Sequence, residues 1–201
     1  DVFAALVTDT DSDDPPDNMA ADYQFSFDTN VVVPVNLIIN EIHADPATSL
    51  AGDANGDGTR EATQDEFVEI VNNDTGDLDI SGWTLADGFG VRHTFPAGTV
   101  VAQGCSIVVF GGGTPTGSFG KSQVQTASTG SLGLNNGGDS VVLNDGTADV
   151  VTANYGSEGG DNQSLTLDPD VTGAEPRVKH SVATGSGGAL FSPGTKIDGS
   201  Q

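Results

Sequence analysis

GDANGDGTREATQDEFVEIVN, residues 52–72, joins two different patterns. In its first half, side chains that carry oxygen alternate with small residues. Its second half, EFVEIVN, places Val68 and Ile70 on one face of an extended chain and Phe67 on the other, because side chains alternate between the two faces of a strand. The stretch therefore predicts a polar loop that leads directly into a core strand of a β-sandwich.

The alternating oxygen side chains of the loop are typical of a calcium site. In an EF-hand-type loop they occupy the first, third and fifth positions, and a glycine at the sixth allows the sharp bend, which Gly58 provides. The twelfth position should be acidic but falls on Gln64, and a strand follows where a helix would be expected. We therefore predict a calcium-binding half-loop that is closed by a later acidic residue. The predicted ligands are Asp53, Asn55, Asp57, the backbone carbonyl of Thr59, and Asp65 or Glu66.

Two alternatives to this site follow from the same residues. One is an Asp/Asn/Gly turn without an ion, and calcium is favoured over it because the carboxylates would otherwise repel one another. The other is magnesium, which is disfavoured because it prefers a rigid octahedral site that retains several waters. Asp45 is a further candidate ligand, since the loop joins two predicted strands whose ends must lie close together.

The composition restricts the possible partners. The 201 residues include 29 acidic and 6 basic side chains, a formal net charge of -23. We expect no nucleic-acid binding, which requires lysine and arginine to neutralise phosphates, and no membrane insertion, because no apolar run approaches about 18 residues. The charge suits a protein in a salty or calcium-rich medium, so we expect a secreted or cell-surface location. Cys105 is the single cysteine, which excludes an intrachain disulfide and favours a small buried side chain.

The chain divides into three predicted parts. Residues 1–35 read as the final strands of a preceding domain plus a linker, because ADYQFSFDT alternates and Pro34 interrupts strand pairing. Residues 36–160 read as the sandwich, and residues 161–201 as an extension that packs on it and is partly flexible. The chain begins at Asp1 rather than Met, so we expect a processed or excised piece of a longer protein. A solvated turn is favoured over a second cation site for the acidic run at 9–14.

A succession of motifs carries a specific resemblance. NEI is followed by DEFVEIVN, DLDISGWTLAD, HTFPAGTVVAQGCSIVVFG and LGLNNGGDSVVLNDGTADVVTANYG, covering about residues 37–156. In this order they resemble the lamin tail domain family, in its secreted bacterial type, and ADYQFSFDT resembles the last strand of a bacterial immunoglobulin-like surface domain. The resemblance implies an all-β, immunoglobulin-like β-sandwich. Bacterial relatives are often joined to nucleases, phosphatases or other hydrolases, which implies a targeting role.

The remaining candidates for chemistry have structural interpretations. Glu41 and Glu69 lie within apolar strands, where paired carboxylates can act as general acid and base. We favour a role in which they accept hydrogen bonds from loop backbone or approach the calcium site. The three histidines, His43, His93 and His180, lack the spacing of zinc ligands. We therefore predict no catalytic residues.

These observations favour a non-catalytic module of a secreted or cell-surface protein, stabilised by Ca²⁺ and used for adhesion, targeting or spacing. Its partner would be an unidentified protein or polysaccharide at the cell surface. One alternative is an accessory part of a secreted hydrolase, which requires a deep pocket with acidic or histidine side chains. The other is a carbohydrate-binding module, which requires a face lined by exposed aromatic residues.

Overall fold

The computed structural model describes residues 35–200, in which short strands alternate with turns. The strands are β1 (Leu37–His43), β2 (Phe67–Asn72), β3 (Leu78–Asp79), β4 (Thr84–Ala86), β5 (Val91–Thr94), β6 (Val100–Val101), β7 (Ser106–Phe110), β8 (Gln123–Thr126), β9 (Asp139–Asn144), β10 (Asp149–Tyr155), β11 (Leu165–Thr166) and β12 (Val178–Lys179). Single turns of 3₁₀ helix cover Ser49–Gly52, Ser157–Gly160 and His180–Val182. No helix in this part of the chain is long and apolar enough to cross a membrane.

The strands form two main sheets. The larger sheet has the order β12-β11-β1-β2-β7-β8, and the smaller has the order β10-β9-β4-β5. All pairings are antiparallel except that of β7 with β8, which is parallel. A separate ribbon pairs β3 with β6. The segment NDGTAD, residues 144–149, contains the Asp-Gly pair typical of hairpin turns, and it joins the paired strands β9 and β10.

The main hydrophobic core lies between the two sheets. Val68 and Ile70 of β2 are fully buried there with Leu85 of β4 and Leu143 of β9, and Trp83 packs against this cluster from a partly buried position. The apolar alternation of EFVEIVN thus directs one face of β2 into the sandwich, as the sequence predicts.

The larger sheet is also buried on its outer face. Phe67, Val108 and Phe110 form a second apolar cluster there, against which Phe119 and Phe191 pack. Coverage on both faces explains why every residue of β2 and β7 is buried. Burial on both faces also explains why these strands read as nearly continuous apolar runs.

A bulge in β1 changes the faces that its side chains occupy. The pairing register of β1 with β2 shifts between Ile39 and Glu41, as the imperfect alternation of LIINEIHAD indicates. Ile39 belongs to the inner core. Simple alternation along the strand predicts that Ile39, Glu41 and His43 share a face, and this prediction is wrong for Ile39. The extra residue of the bulge sends Glu41 and His43 to the outer face instead.

Two further expectations concern the burial of Cys105 and the segment that precedes residue 35. Cys105 is free and only half-buried, so it is not the fully buried side chain that its apolar surroundings suggested. The predicted strand ADYQFSFDT and the acidic run before it lie outside the described residues.

Candidate functional site

The predicted calcium loop lies between the end of β1 and the start of β2. Asp65, just before β2, is fully buried. Its carboxylate accepts hydrogen bonds from the backbone N–H of Asn55 at 3.1 Å and of Glu61 at 2.7 Å. These two bonds draw both ends of the loop to one carboxylate, so Asp65 closes the loop by hydrogen bonding.

The other side chains of the loop are held by short-range turns. Asn55 Oδ1 accepts the N–H of Asp57 at 3.0 Å, and Asp57 Oδ1 accepts the N–H of Thr59 at 2.9 Å. Asp53 Oδ2 accepts the N–H of Gly58 at 2.9 Å. A carboxylate oxygen that accepts one hydrogen bond keeps a lone pair for a second interaction. The turns therefore orient the oxygens without using all their capacity.

Asp53 carries the clearest sign of a missing interaction. Its Oδ1 atom is buried and has no hydrogen-bond partner among the described residues. Burial raises the pKa of Asp65, and the negative charges of Asp53 and Asp57 raise it further. Asp65 and Asp53 accept the N–H groups of Asn55 and Gly58, respectively, which places these acidic side chains around one short stretch of the loop. The nearby Arg60 directs its guanidinium to the carbonyl oxygens of Pro46 and Ala47.

A second segment, which follows β7, holds the loop in place. The N–H groups of Thr116 and Gly117 both donate to the carbonyl of Asn55, at 3.0 and 3.2 Å. Gly56 has φ +68°, and a Cβ there would lie 2.7 Å from the Cα of Gly117. A side chain at residue 56 would therefore break the contact between the two segments.

Neither Glu66 nor Asp45 joins these residues. Glu66 Oε2 accepts the N–H of Leu134 at 3.3 Å, on the inner side of the sandwich. Asp45 accepts hydrogen bonds from the side-chain amide of Asn136 and the backbone of Asn162. The structure thus brings together Asp53, Asn55, Asp57, Thr59 and Asp65. Within residues 35–200, no group of three or more His, Cys, Asp or Glu side chains has the arrangement of a metal site.

Glu66 instead belongs to a partly buried ionic cluster. Burial raises its pKa to about 7, although the Leu134 N–H and the positive charge of Arg92 favour the ionised form. Arg92 also forms an ion pair with the buried carboxylate of Asp87. Sequence spacing gave no sign of this cluster, because its members lie on separate strands and loops.

The outer face of the larger sheet carries a pair of buried glutamates. Glu41 and Glu69 are direct cross-strand neighbours on β1 and β2. Glu41 Oε1 accepts the N–H of Ser192 at 3.0 Å, and Glu69 Oε2 accepts the N–H of Gly194 at 2.8 Å. The two carboxylates therefore fix the C-terminal segment to the sheet. The prediction that they accept hydrogen bonds from loop backbone is confirmed.

The two carboxylates also affect each other's ionisation. Burial raises the pKa of both side chains, and the charge of Glu41 raises that of Glu69 further. Two carboxylates side by side away from water cannot both ionise without a large cost.

A serine and a histidine complete this cluster without forming a catalytic triad. Ser192 Oγ lies 3.0 Å from Glu41 Oε2 and 2.8 Å from His180 Nε2, and the other ring nitrogen of His180 contacts the carbonyl of Ala189 at 2.9 Å. In a triad the histidine lies between the serine and the acid, whereas here the serine lies between them. His180 and Glu41 are fully buried, so this arrangement joins structural segments.

His43 is buried in an aromatic cluster beside these residues. Its ring centroid lies 5.4 Å from that of Phe67 and 5.3 Å from that of Phe191. Burial lowers its pKa to about 3, and the nearby backbone of Gln163 offsets only part of that shift. His43 is therefore neutral and acts as an aromatic packing residue.

The two packed sheets and the absence of long helices in the described residues define the class: this is an immunoglobulin-like β-sandwich. A model of the Lamin Tail Domain matches residues 32–157, more than half of the 201-residue chain. The chain therefore belongs to the lamin tail domain family, whose members are non-catalytic immunoglobulin-like domains. No curated protein matches the chain. The matched region ends shortly after β10, so the segment fixed by Glu41 and Glu69 lies beyond it.

Proposed function

We propose that this β-sandwich is a calcium-stabilised, non-catalytic module of a secreted or cell-surface protein, serving adhesion, targeting or spacing. The observation that carries the calcium proposal is the buried, unpartnered Oδ1 atom of Asp53, close to the carboxylates of Asp57 and Asp65. A divalent cation would satisfy that oxygen and reduce the repulsion among the three carboxylates.

The proposed ligand set mixes side-chain and backbone oxygens. Asp53, Asn55 and Asp57 would supply side-chain oxygens, and Thr59 its backbone carbonyl, which are hard ligands of the kind that calcium prefers. Asp65 would act mainly by holding the loop closed. Glu66 is left out because its carboxylate contacts the backbone of Leu134.

The net charge of -23 supports the rest of the proposal. A polyanion of this kind is repelled by nucleic acid, so we infer a protein or polysaccharide partner in an extracellular medium. Calcium at millimolar concentration in such a medium would keep the loop closed.

Thermal unfolding with and without a calcium chelator tests the proposal. Ligand at about one hundred times its Kd stabilises a fold by about 2.7 kcal/mol, which corresponds to a Tm rise on the order of 5–10 °C for a chain of this size. We expect Asp57→Ala to lose that rise.

Asp145→Ala is the matched control for this experiment. Asp145 also accepts backbone hydrogen bonds in a tight turn, from Thr147 and Ala148, but it lies in the β9–β10 turn rather than in the loop. This variant should unfold at a lower temperature and still respond to calcium. An equal Tm of the wild-type protein with and without chelator would contradict the calcium proposal.

A further inference from the structure

The outer edge of β10 is an open sheet edge. β10 ends the smaller sheet and pairs only with β9 within the described part of the chain. In an antiparallel pair, every second residue directs its N–H and C=O away from the neighbouring strand. Within residues 35–200, no other strand pairs with these groups in Asp149–Tyr155.

The other sheet edges are shorter or covered. β12 has 2 residues and β8 has 4. The free side of β5 is covered, because the Thr129 N–H donates to the carbonyl of Arg92 and the Thr94 N–H donates to Ser128 Oγ. β10 has 7 residues and contains neither the proline nor the lysine that commonly protect exposed edges, and its pairing irregularity is confined to the start of the strand, between Asp149 and Val151.

The charge around β10 selects the kind of chain that fits. Asp149 is exposed at the start of the strand and Glu158 is exposed just beyond its end, whereas the nearby Asp161 is already ion-paired with Lys179. Within the strand and its turn to β9 there is no lysine or arginine. A second copy of this chain would bring a further charge of -23 to an acidic edge, whereas a cationic segment would be attracted to it.

We propose that the outer edge of β10 is the docking site for an extended, cationic segment of a partner protein. The segment adds a strand to the smaller sheet through backbone hydrogen bonds, as in other cases of β-strand addition. Lysine or arginine side chains at its ends face the carboxylates at the two ends of β10. The exposed side chains of Thr152 and Asn154 contact its central residues.

A blocked nine-residue peptide of alternating valine and lysine is the probe. Titrated into ¹⁵N-labelled protein, it should shift the backbone amide signals of β10, and the effect should weaken as salt increases. The same peptide with glutamate in place of lysine, or with proline at its central positions, should not bind. Shifts that fall elsewhere on the protein, or no shifts, would overturn the proposal.

Two matched substitutions separate the edge from the overall charge. Thr152→Lys places a positive charge on β10, and Thr94→Lys places the same charge on an exposed position of β5 in the same sheet. Thr152→Lys should weaken peptide binding by about fivefold or more, and Thr94→Lys should change it by less than about twofold. If both substitutions weaken peptide binding equally, the affinity depends only on the net charge of the protein, and the proposed site is overturned.

Thr152→Glu and sedimentation complete the test. Thr152→Glu should tighten binding, which keeps the proposal testable where Thr152→Lys fails to fold. Sedimentation of the protein alone should show a monomer at physiological salt. A dimer that Thr152→Lys dissociates would assign the β10 edge to a second copy and would overturn the cationic partner.

Discussion

At the scale of single residues, three buried glutamates have different structural roles in this sandwich. Glu41 and Glu69 hold the backbone of the C-terminal segment. Glu66 contacts the backbone near Leu134 and faces the Arg92 side chain. All three have raised pKa values because burial disfavours the charged form. Their protonation therefore couples the stability of the domain to pH.

Glu66→Gln should change that coupling in a defined direction. The pKa of Glu66 is about 7 in the folded state and 4.5 in its ordinary range, so the folded state binds the proton more tightly. The stabilisation is fully present below pH 4.5 and is lost as the pH rises through about 7. Glutamine does not ionise, so Glu66→Gln does not lose stability as the pH rises. Above pH 7 the variant should be more stable than wild type by up to about 3 kcal/mol.

Urea unfolding of both proteins between pH 4 and 8 measures this difference. Glu158→Gln is the control, because Glu158 is exposed and its pKa is lowered by the backbone N–H of Gly156. The ionisation of Glu158 should change the free energy of unfolding only slightly. Because its folded-state pKa is lowered, that change should favour the folded state as the pH rises. Parallel pH profiles for wild type and Glu66→Gln would show that Glu66 ionises normally in the fold.

Single residues also mark the limits of prediction from sequence. The pattern of EFVEIVN identified the strand and its two faces, and the alternating Asp and Asn residues identified the loop. The contact of Glu66 with Leu134 could not be predicted, because it depends on how two distant segments meet. Asp65 or Glu66 was predicted as the calcium ligand that closes the loop. The hydrogen bonds of Asp65 to two loop N–H groups depend on a backbone path that the sequence pattern does not specify.

At the scale of elements, the C-terminal segment is part of the larger sheet and of its outer layer. β11 pairs with β1, and β12 pairs with β11. Phe191 packs on His43 and Phe67, next to the residues that Glu41 and Glu69 hold. These contacts cover a sheet face that would otherwise expose Phe67 and Phe110.

Phe191→Ala should therefore destabilise the whole domain. Removing a large aromatic side chain from a packed site costs about 3–5 kcal/mol when it is fully buried, and about 2–3 kcal/mol is expected for the half-buried Phe191. Denaturant unfolding measures the loss, and hydrogen exchange at Ser192 and Gly194 should accelerate with it. Val182→Ala is the control in the same segment, because Val182 is 73% exposed, and it should cost less than about 0.5 kcal/mol. Equal costs for the two variants would show that the segment packs only loosely on the sheet.

Some elements carried a local signal and others did not. β2, β7 and the β9–β10 hairpin follow from apolar runs and an Asp-Gly turn. The parallel pairing of β7 with β8 had no such signal, since QVQT is short and polar and is held by a non-local partner. β11 and β12 contain 2 residues each, so their strand conformation depends on β1 rather than on their own sequence.

At the scale of the whole molecule, repulsion between negative charges acts both over the acidic surface and within the loop. A net charge of -23 opposes compactness through self-repulsion, and the acidic residues of the loop between β1 and β2 include Asp53, Asp57 and Asp65. A bound cation would reduce that repulsion within the loop. It would also hold the end of β1 against the start of β2 at the centre of the larger sheet.

Isothermal titration of calcium into chelator-treated protein tests this account most directly. We predict one calcium ion per chain, much weaker binding of magnesium, and loss of the calcium signal in Asp53→Asn. That variant keeps an oxygen that can accept the Gly58 N–H but lacks the charge on the buried, unpartnered oxygen. Absence of calcium binding to the wild-type protein, or unchanged affinity in Asp53→Asn, would contradict the account.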